Sequence, residues 1–415
     1  MKESIAALKK EFPMLGASFT GRRMVYLDSA CTVLKLKCAA DEQRRHMLEL
    51  GGCGGKRSSH ALAAAMEENF YAARSRVASF MGAESPEEII FTSGVTDAAN
   101  LLANSFPFTP DRNEVVLSPV EHNAVFLPFE RLAAAGRIKL RVAPMDGFKT
   151  DMAGLGKLIG RRTALVCLTH ASNIFGGSED IAAAADLAHK AGACLFSDDA
   201  QYAATHGGSA APHGADACAF SGHKLGAPYC TGALYVRRGL MAKLRPWRVG
   251  GGTMEDVSFS GGRYKVKYLG NYQGFEAGVQ NASGAAALAV TLDRLEKCGF
   301  AAIRAHVSGL VDAALTGLAG VKGVKVLGRR EDLLEGSLIS IAPEKKNFSV
   351  PDFNLFLNQG LKGRFIAVRT GRHCADLACL ASGYRETIRI SFFAYNTAED
   401  AAFFVEALKK YLSLI

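Results

Sequence analysis

Seven short apolar runs, most of them separated by helical patterns, organise the first half of the chain. They lie at 88–92, 114–118, 138–143, 163–169, 193–197, 216–220 and 232–236. Most are continuously apolar rather than alternating, the pattern of strands buried on both faces. Helical periodicity occupies 96–105, 123–135, 151–160 and 179–191 between them. This alternation predicts an α/β fold with a mainly parallel seven-stranded sheet covered by helices. Upstream, good helix formers predict a helix over 61–81 (ALAAAMEENFYAARSRVASFM), and Met24 to Leu27 read as a strand.

The pattern changes after residue 285. Long helices are predicted over 286–318, β-like runs near 323–327, 337–342, 364–368 and 387–391, and helices at 351–360 and 398–413. These predict a smaller α+β domain. The expected division is an N-terminal arm over 1–20 packing on the small domain, a large domain over 21–285 and a small one over 286–415. The stretch 250–275, rich in Gly and Tyr and poor in periodicity, is a candidate loop or hairpin reaching a partner or the active site.

Composition narrows the class. With 415 residues, 49% hydrophobic and 21% charged, the chain has ample material for a large core, which argues against disorder. The net charge is +9, but its cations occur as pairs such as Arg161-Arg162 and Lys345-Lys346, not tracts. That reads as a solvated basic surface, with no nucleic-acid and no membrane partner expected. Ten Cys residues lack C-x-x-C and zinc-ribbon spacing, so no metal is expected. Several sit in apolar runs, as small buried hydrophobes do in a reducing compartment. Met1 to Phe12 lacks a signal-peptide apolar region, and no run has membrane-spanning length. The cytoplasm is the expected location.

Five stretches carry candidate chemistry. Gly51-Gly52-Cys53-Gly54-Gly55-Lys56 is not one of them: Leu50 and Arg57 break the phosphate-loop pattern. Thr92-Ser93-Gly94-Val95-Thr96-Asp97 closes a strand and opens a helix, where backbone N–H groups and the Thr96 hydroxyl suit either a phosphate or a plain helix cap. Asp198, in Ser197-Asp198-Asp199-Ala200-Gln201, ends an apolar strand at a sheet edge where ligands bind. It suits a protonated pyridinium nitrogen or a helix cap. Lys224, in Phe220-Ser221-Gly222-His223-Lys224, also follows a strand, as a Schiff-base lysine or a surface cation would. Cys374, in Val368-Arg369-Thr370-Gly371-Arg372-His373-Cys374, has cationic and polar neighbours, the setting of a reactive thiolate. Arg389, inside a β-like run, needs a partner: a substrate carboxylate or an internal ion pair.

Together these residues resemble the class V group of fold-type I pyridoxal-phosphate (PLP) enzymes, in particular the cysteine desulfurases. The resemblance runs from Tyr26-Leu27-Asp28-Ser29-Ala30 to Ala394-Tyr395-Asn396-Thr397. The short Arg369-Thr370-Gly371-Arg372-His373-Cys374 loop is similar to group II, the type that works with the Suf assembly system. The resemblance implies an aspartate aminotransferase-like fold in which the large domain binds PLP and the small one carries the Cys loop. It implies that Lys224 holds the cofactor aldehyde and that Ser221, His223, Thr96 and the backbone of Gly94 and Val95 hold the phosphate. Asp198 would pair with the ring nitrogen, Gln201 with the ring hydroxyl, and His122 would stack on the ring and assist catalysis. Asn173, Arg389 and Arg369 would bind the substrate, and Asn173 would contact the cofactor as well. Cys374 would take sulfur from L-cysteine, leaving L-alanine, and pass the persulfide to a protein acceptor serving iron–sulfur cluster assembly. A homodimer is implied, because sites in this fold lie at the subunit boundary.

Four departures stand out. The family's opening Asp-Asn-Ala-Ala-Thr-Thr is here Asp28-Ser29-Ala30-Cys31-Thr32-Val33. Val279 replaces a Thr that reaches the neighbouring subunit's phosphate, Asp97 a common Glu, and Arg372 a common His. They suggest a divergent member; selenocysteine lyase or another class V lyase, epimerase or transaminase is the alternative.

Overall fold

In a computed structural model of the chain, residues 3–19, 21–54 and 60–415 are described. Residues 55–59, the end of the Gly-rich stretch, lie outside them. The seven predicted strands all form and join one sheet. Its order is Ile89–Thr92, Gly232–Val236, Ala217–Ser221, Cys194–Asp198, Thr163–Thr169, Glu114–Leu117 and Lys139–Val142. Only Gly232–Val236 runs against its neighbours. The others share one direction, so their carboxyl ends meet on one edge.

Burial explains the apolar runs. Every residue of Thr163–Thr169, Ala217–Ser221 and Gly232–Val236 is buried. Phe220 is fully buried and meets Phe80 edge-on at 5.4 Å, which ties the sheet to the helix Ala61–Met81. Truncating it to Ala would cost about 3–5 kcal/mol. The edge strand Lys139–Val142 is largely exposed; Lys139 and Arg141 keep that edge charged.

The helix Ala61–Met81 matches its predicted span, and Gly82 closes it at φ 70°, where its N–H reaches the carbonyls of Ala78 and Ser79. The predicted 286–318 stretch is two helices, Ala282–Cys298 and Phe300–Leu318, bent by 74° about Gly299. Among the described residues no single helix is long and apolar enough to cross a membrane.

A second sheet holds Val324–Leu327, Leu338–Pro343, Thr387–Ser391 and Arg369–Gly371. The strand Arg22–Tyr26 pairs in parallel with Arg364–Ala367, far along the chain. Residues 250–275 include a hairpin, Met254–Ser260 with Arg263–Tyr268, which is almost wholly exposed.

Candidate active site

The strand Ala217–Ser221 delivers Lys224 to the carboxyl edge of the large sheet through a short 3-10 turn, Gly222–Lys224. Lys224 is half-buried, and the protein around it lowers its pKa; Asp198 opposes this and Arg389 adds to it. A lowered pKa favours the neutral, nucleophilic amine. Asp198 ends the neighbouring strand. Burial raises its pKa to about 6, against the attraction of Lys224. Its Oδ1 accepts the Ala200 amide at 2.9 Å. Behind it, Asp199 bonds His170 Nδ1 at 2.9 Å and the Ser197 hydroxyl at 2.7 Å.

The turn before helix Val95–Ser105 lies against the same edge. Gly94 has φ 136°, and a Cβ there would meet the Ser221 hydroxyl at 2.9 Å, so glycine is required. The Val95 amide donates to Ser221 Oγ at 3.0 Å. The Thr96 hydroxyl belongs to an exposed residue at the head of that helix. His223 shares a 3.2 Å hydrogen bond with Thr32 through Nδ1. Gln201 donates to the Ala30 carbonyl at 2.8 Å. His122 caps helix Asn123–Ala134 through Nδ1, 3.0 Å from the Ala124 amide. Burial, with Lys224 and Arg389 adding to it, lowers the His122 pKa to about 3, so its ring is neutral.

The Cys loop comes from the second sheet. His373 and Cys374 both have positive φ, 55° and 53°, and Cys374 is exposed. Non-glycine residues hold this conformation only when neighbours fix it. Asn173 donates to the His373 carbonyl at 2.8 Å, Asn123 donates its amide to the Cys374 carbonyl at 2.7 Å, and His373 Nε2 meets the Thr387 hydroxyl at 2.7 Å. Arg372 pairs with Asp376 at 3.1 Å and faces outward.

Arg389 is 2% exposed. It donates to the Asn173 carbonyl at 2.7 Å and to Asp28 at 3.2 Å, while its buried Nε has no partner. The internal ion pair is thus present, and one buried donor of the guanidinium is left over. Arg369 donates to Asp28 at 2.8 Å and to the Cys31 sulfur at 2.7 Å.

Most of the named residues converge here. Asp198 and Arg389 both act on Lys224, and Asn173 bonds both Arg389 and the His373 carbonyl beside Cys374. Three contributors carried no predicted role: Asp28, which gathers the two arginines; Asn123, which anchors the Cys loop; and Cys31. The Asp28-Ser29-Ala30 stretch was visible as a motif, but nothing in it signalled ion pairing.

The donor set fits PLP. A buried carboxylate with a raised pKa and a neutral imidazole border the site, and amides and hydroxyls cluster beside a helix N-terminus. An α/β sheet covered by helices with a lysine at its carboxyl edge is a frame that suits a carbonyl cofactor. The chain belongs to the class-V aminotransferase family, which matches residues 25–404. It is 33% identical over 418 residues to a probable cysteine desulfurase of Vibrio cholerae, covering 100% of both chains. It is also 33% identical to a cysteine desulfurase of Dickeya dadantii, covering 95% of this chain and 94% of that one. The apo structure of a cysteine desulfurase from Thermococcus onnurineus superposes with a TM-score of 0.89 at 28% identity, covering 100% of both chains. The cysteine desulfurase CsdA of Escherichia coli gives 0.87 at 28% identity, covering 100% of this chain and 99% of that one.

Proposed function

We propose that this protein is a PLP-dependent cysteine desulfurase that takes sulfur from L-cysteine onto Cys374 and releases L-alanine. The observation that carries the reading is that Asn173 bonds both Arg389 and the loop bearing Cys374, while Asp198 and Arg389 act on Lys224 at the edge of the large sheet. When bound, PLP supplies a conjugated ring that accepts the negative charge left by loss of a substrate proton.

The chain's residues do the rest. Lys224 would hold the cofactor aldehyde, and its amine would move the substrate's α-proton. Asp198 would hold the ring nitrogen protonated, and Gln201 would face the ring hydroxyl. Ser221, His223, Thr96 and the amides of Gly94 and Val95 would bind the phosphate. Neutral His122 would lie on the ring. Arg389, through its unpaired Nε, and Asn173 bind the substrate carboxylate, with Arg369 beside them. The Cys374 thiolate attacks the substrate sulfur: an S–S bond forms, the C–S bond breaks, and the electron pair goes to the carbon skeleton that ends as alanine.

The short Arg-Thr-Gly-Arg-His-Cys loop supports a group II assignment, and the exposed Cys374 supports transfer to a protein acceptor. Ten unpaired cysteines support a reducing compartment such as the cytoplasm. The separate seven- and four-stranded sheets support a division near residue 285. The exposed Val279 and exposed hairpin support a homodimer that covers them. Two variants test the assignment. Lys224→Ala should lose the visible absorbance band of the cofactor-bound lysine. Cys374→Ala should keep the band and lose sulfide and alanine production from cysteine; undiminished production would overturn the role of Cys374.

A further inference from the structure

The turn that carries Lys224 is tied to an early segment of the chain by a second lysine, which takes no part in the sulfur transfer. Lys35 is half-buried, and its Nζ donates to Thr32 Oγ1 at 3.0 Å, to the Val33 carbonyl at 2.9 Å and to the His223 carbonyl at 3.1 Å. An ammonium has three protons, so these partners use all of them. The Tyr229 ring covers the charge, its centre 4.3 Å from Nζ. The Val33 amide also donates to the His223 carbonyl, at 3.2 Å, so both lone pairs of that oxygen are taken. The Thr32 hydroxyl stands 3.2 Å from the same carbonyl and 3.2 Å from His223 Nδ1, with the Val33 carbonyl farther off at 3.4 Å. It has one proton to give, and the His223 carbonyl is already filled by two N–H donors, so the proton falls to Nδ1. Burial, with Lys224 and Lys35 adding to it, lowers the His223 pKa to about 4. The neutral ring carries a single N–H, and an Nδ1 that accepts leaves that hydrogen on Nε2.

We propose that Lys35 is a positioning residue that fixes the tautomer of His223, so that Nε2 presents a hydrogen to the cofactor phosphate. This rests on the reading of His223 as a phosphate ligand. The effect runs through Thr32. Lys35 fills the His223 carbonyl and one lone pair of the Thr32 oxygen, and Thr32 turns its proton to the ring. A neutral imidazole serves an anion only from the nitrogen that bears the hydrogen; the other tautomer would turn a lone pair toward the phosphate. Without Lys35 the His223 carbonyl has an open lone pair. The Thr32 hydroxyl then donates to that carbonyl, Nδ1 carries the hydrogen and donates to Thr32, and Nε2 becomes an acceptor. The ring exchanges one N–H for the other and gains no charge.

Nitrogen magnetic resonance on protein carrying isotope-labelled histidine reads the tautomer, the His223 signals being those lost in His223→Gln. Cofactor-free wild type should show the hydrogen on Nε2. Lys35→Met, which keeps the length of the side chain and removes its donors, should move the hydrogen to Nδ1. Lys35→Arg, which keeps donors, should leave it on Nε2. Hydrogen on Nδ1 in wild type, or an unmoved hydrogen in Lys35→Met, would overturn the proposal. Should Lys35→Met not fold, Thr32→Val decides: without the hydroxyl the preference for Nε2 should disappear, and its persistence would overturn the proposal equally. The cofactor is read separately. Lys35→Met should lose the visible band during dialysis roughly 10- to 100-fold faster than wild type, the range of a hydrogen bond to a charged group. Equal retention with a moved hydrogen would leave the tautomer assignment standing and remove His223 from the phosphate.

Discussion

Arg369 and Arg389 stand directly opposite each other on neighbouring antiparallel strands, and the carboxylate of Asp28 bonds to both. Like charges at opposed positions destabilise a sheet unless something stands between them. Asp28 does so from a segment at the other end of the chain. It offsets one of the two charges and leaves Arg389 Nε buried and unpartnered.

Asp28→Asn should therefore weaken both fold and site. Removing one member of a buried pair typically costs about 3–5 kcal/mol, because the remaining charge is left uncompensated. Asn can still accept one hydrogen bond, so the lower end is expected. Urea unfolding measures this directly. In steady-state kinetics, KM for cysteine should shift more than kcat, since the arginines lose their fixed orientation. An unchanged midpoint would show that Asp28 is not the anchor.

A second buried pair supports the frame away from the site. Arg74 is 1% exposed and binds both oxygens of Glu276, at 2.8 and 2.7 Å. Glu276 also accepts the Phe91 amide at 2.7 Å, and the guanidinium lies 4.1 Å from the Tyr272 ring centre. Glu276→Gln keeps the shape and removes the charge. It should destabilise the protein by about 3 kcal/mol or more in chemical unfolding. A loss below about 1 kcal/mol, the range of exposed pairs, would show that the pair is not buried in solution.

The sequence revealed the large sheet because its strands are covered on both faces, which leaves continuous apolar runs such as Ala164-Leu165-Val166-Cys167-Leu168. The helix Lys37–Glu49 left no such trace. It is strongly polar, exposes Met47 and Leu48, and packs against Ala282–Cys298. The candidate site was legible where a residue's chemistry is unusual in its own neighbourhood, as for Lys224 after an apolar strand. Asp28 was not, because its partners lie 341 and 361 positions away and ion pairing has no period. Cys31 was visible only as a departure from a motif; the guanidinium that bonds it comes from residue 369.

The Cys loop is held by hydrogen bonds rather than by a helix or strand. Asn173→Ala removes the 2.8 Å bond to the His373 carbonyl beside two residues at positive φ. Small misplacements of a nucleophile cost roughly 100-fold in rate. The expected result is a kcat for alanine formation lower by that order, with the cofactor absorbance retained. A normal kcat would show that the Asn123 and Thr387 contacts suffice to hold the loop.

Asp198 should make the cofactor-free protein less stable as pH rises. Burial raises its pKa from 3.8 to about 6. The folded state thus holds the proton more tightly than the unfolded chain. Stability falls as pH climbs from 3.8 to about 6 and stays lower above that window. The displacement corresponds to roughly 3 kcal/mol at most. Cofactor-free Asp198→Asn should exceed wild type in stability by roughly 1–3 kcal/mol near pH 8, with the gap closing toward pH 4. Urea unfolding at the two pH values checks it, and a less stable variant near pH 8 would reverse the sign. The same variant should be inactive with cofactor, since an amide cannot hold a ring nitrogen protonated.

Val279 offers a gain-of-function test of the assembled site. It is 88% exposed, in the segment that follows Glu276, at the position where the resembling family carries a Thr directed to the neighbouring phosphate. A valine there has the same shape as threonine but no hydroxyl, so Val279→Thr adds a donor without changing volume. A hydrogen bond to a charged group contributes about 1.5–3 kcal/mol, or roughly 10- to 100-fold in affinity. In a homodimer, Val279→Thr should slow cofactor loss by up to that factor, read as the decay of the visible band during dialysis. Stability without cofactor should stay within about 0.5 kcal/mol of wild type, because an exposed side chain is being changed. Equal retention in both proteins would mean that residue 279 does not reach a phosphate across the subunit boundary, and the dimeric arrangement proposed for the site would have to be redrawn.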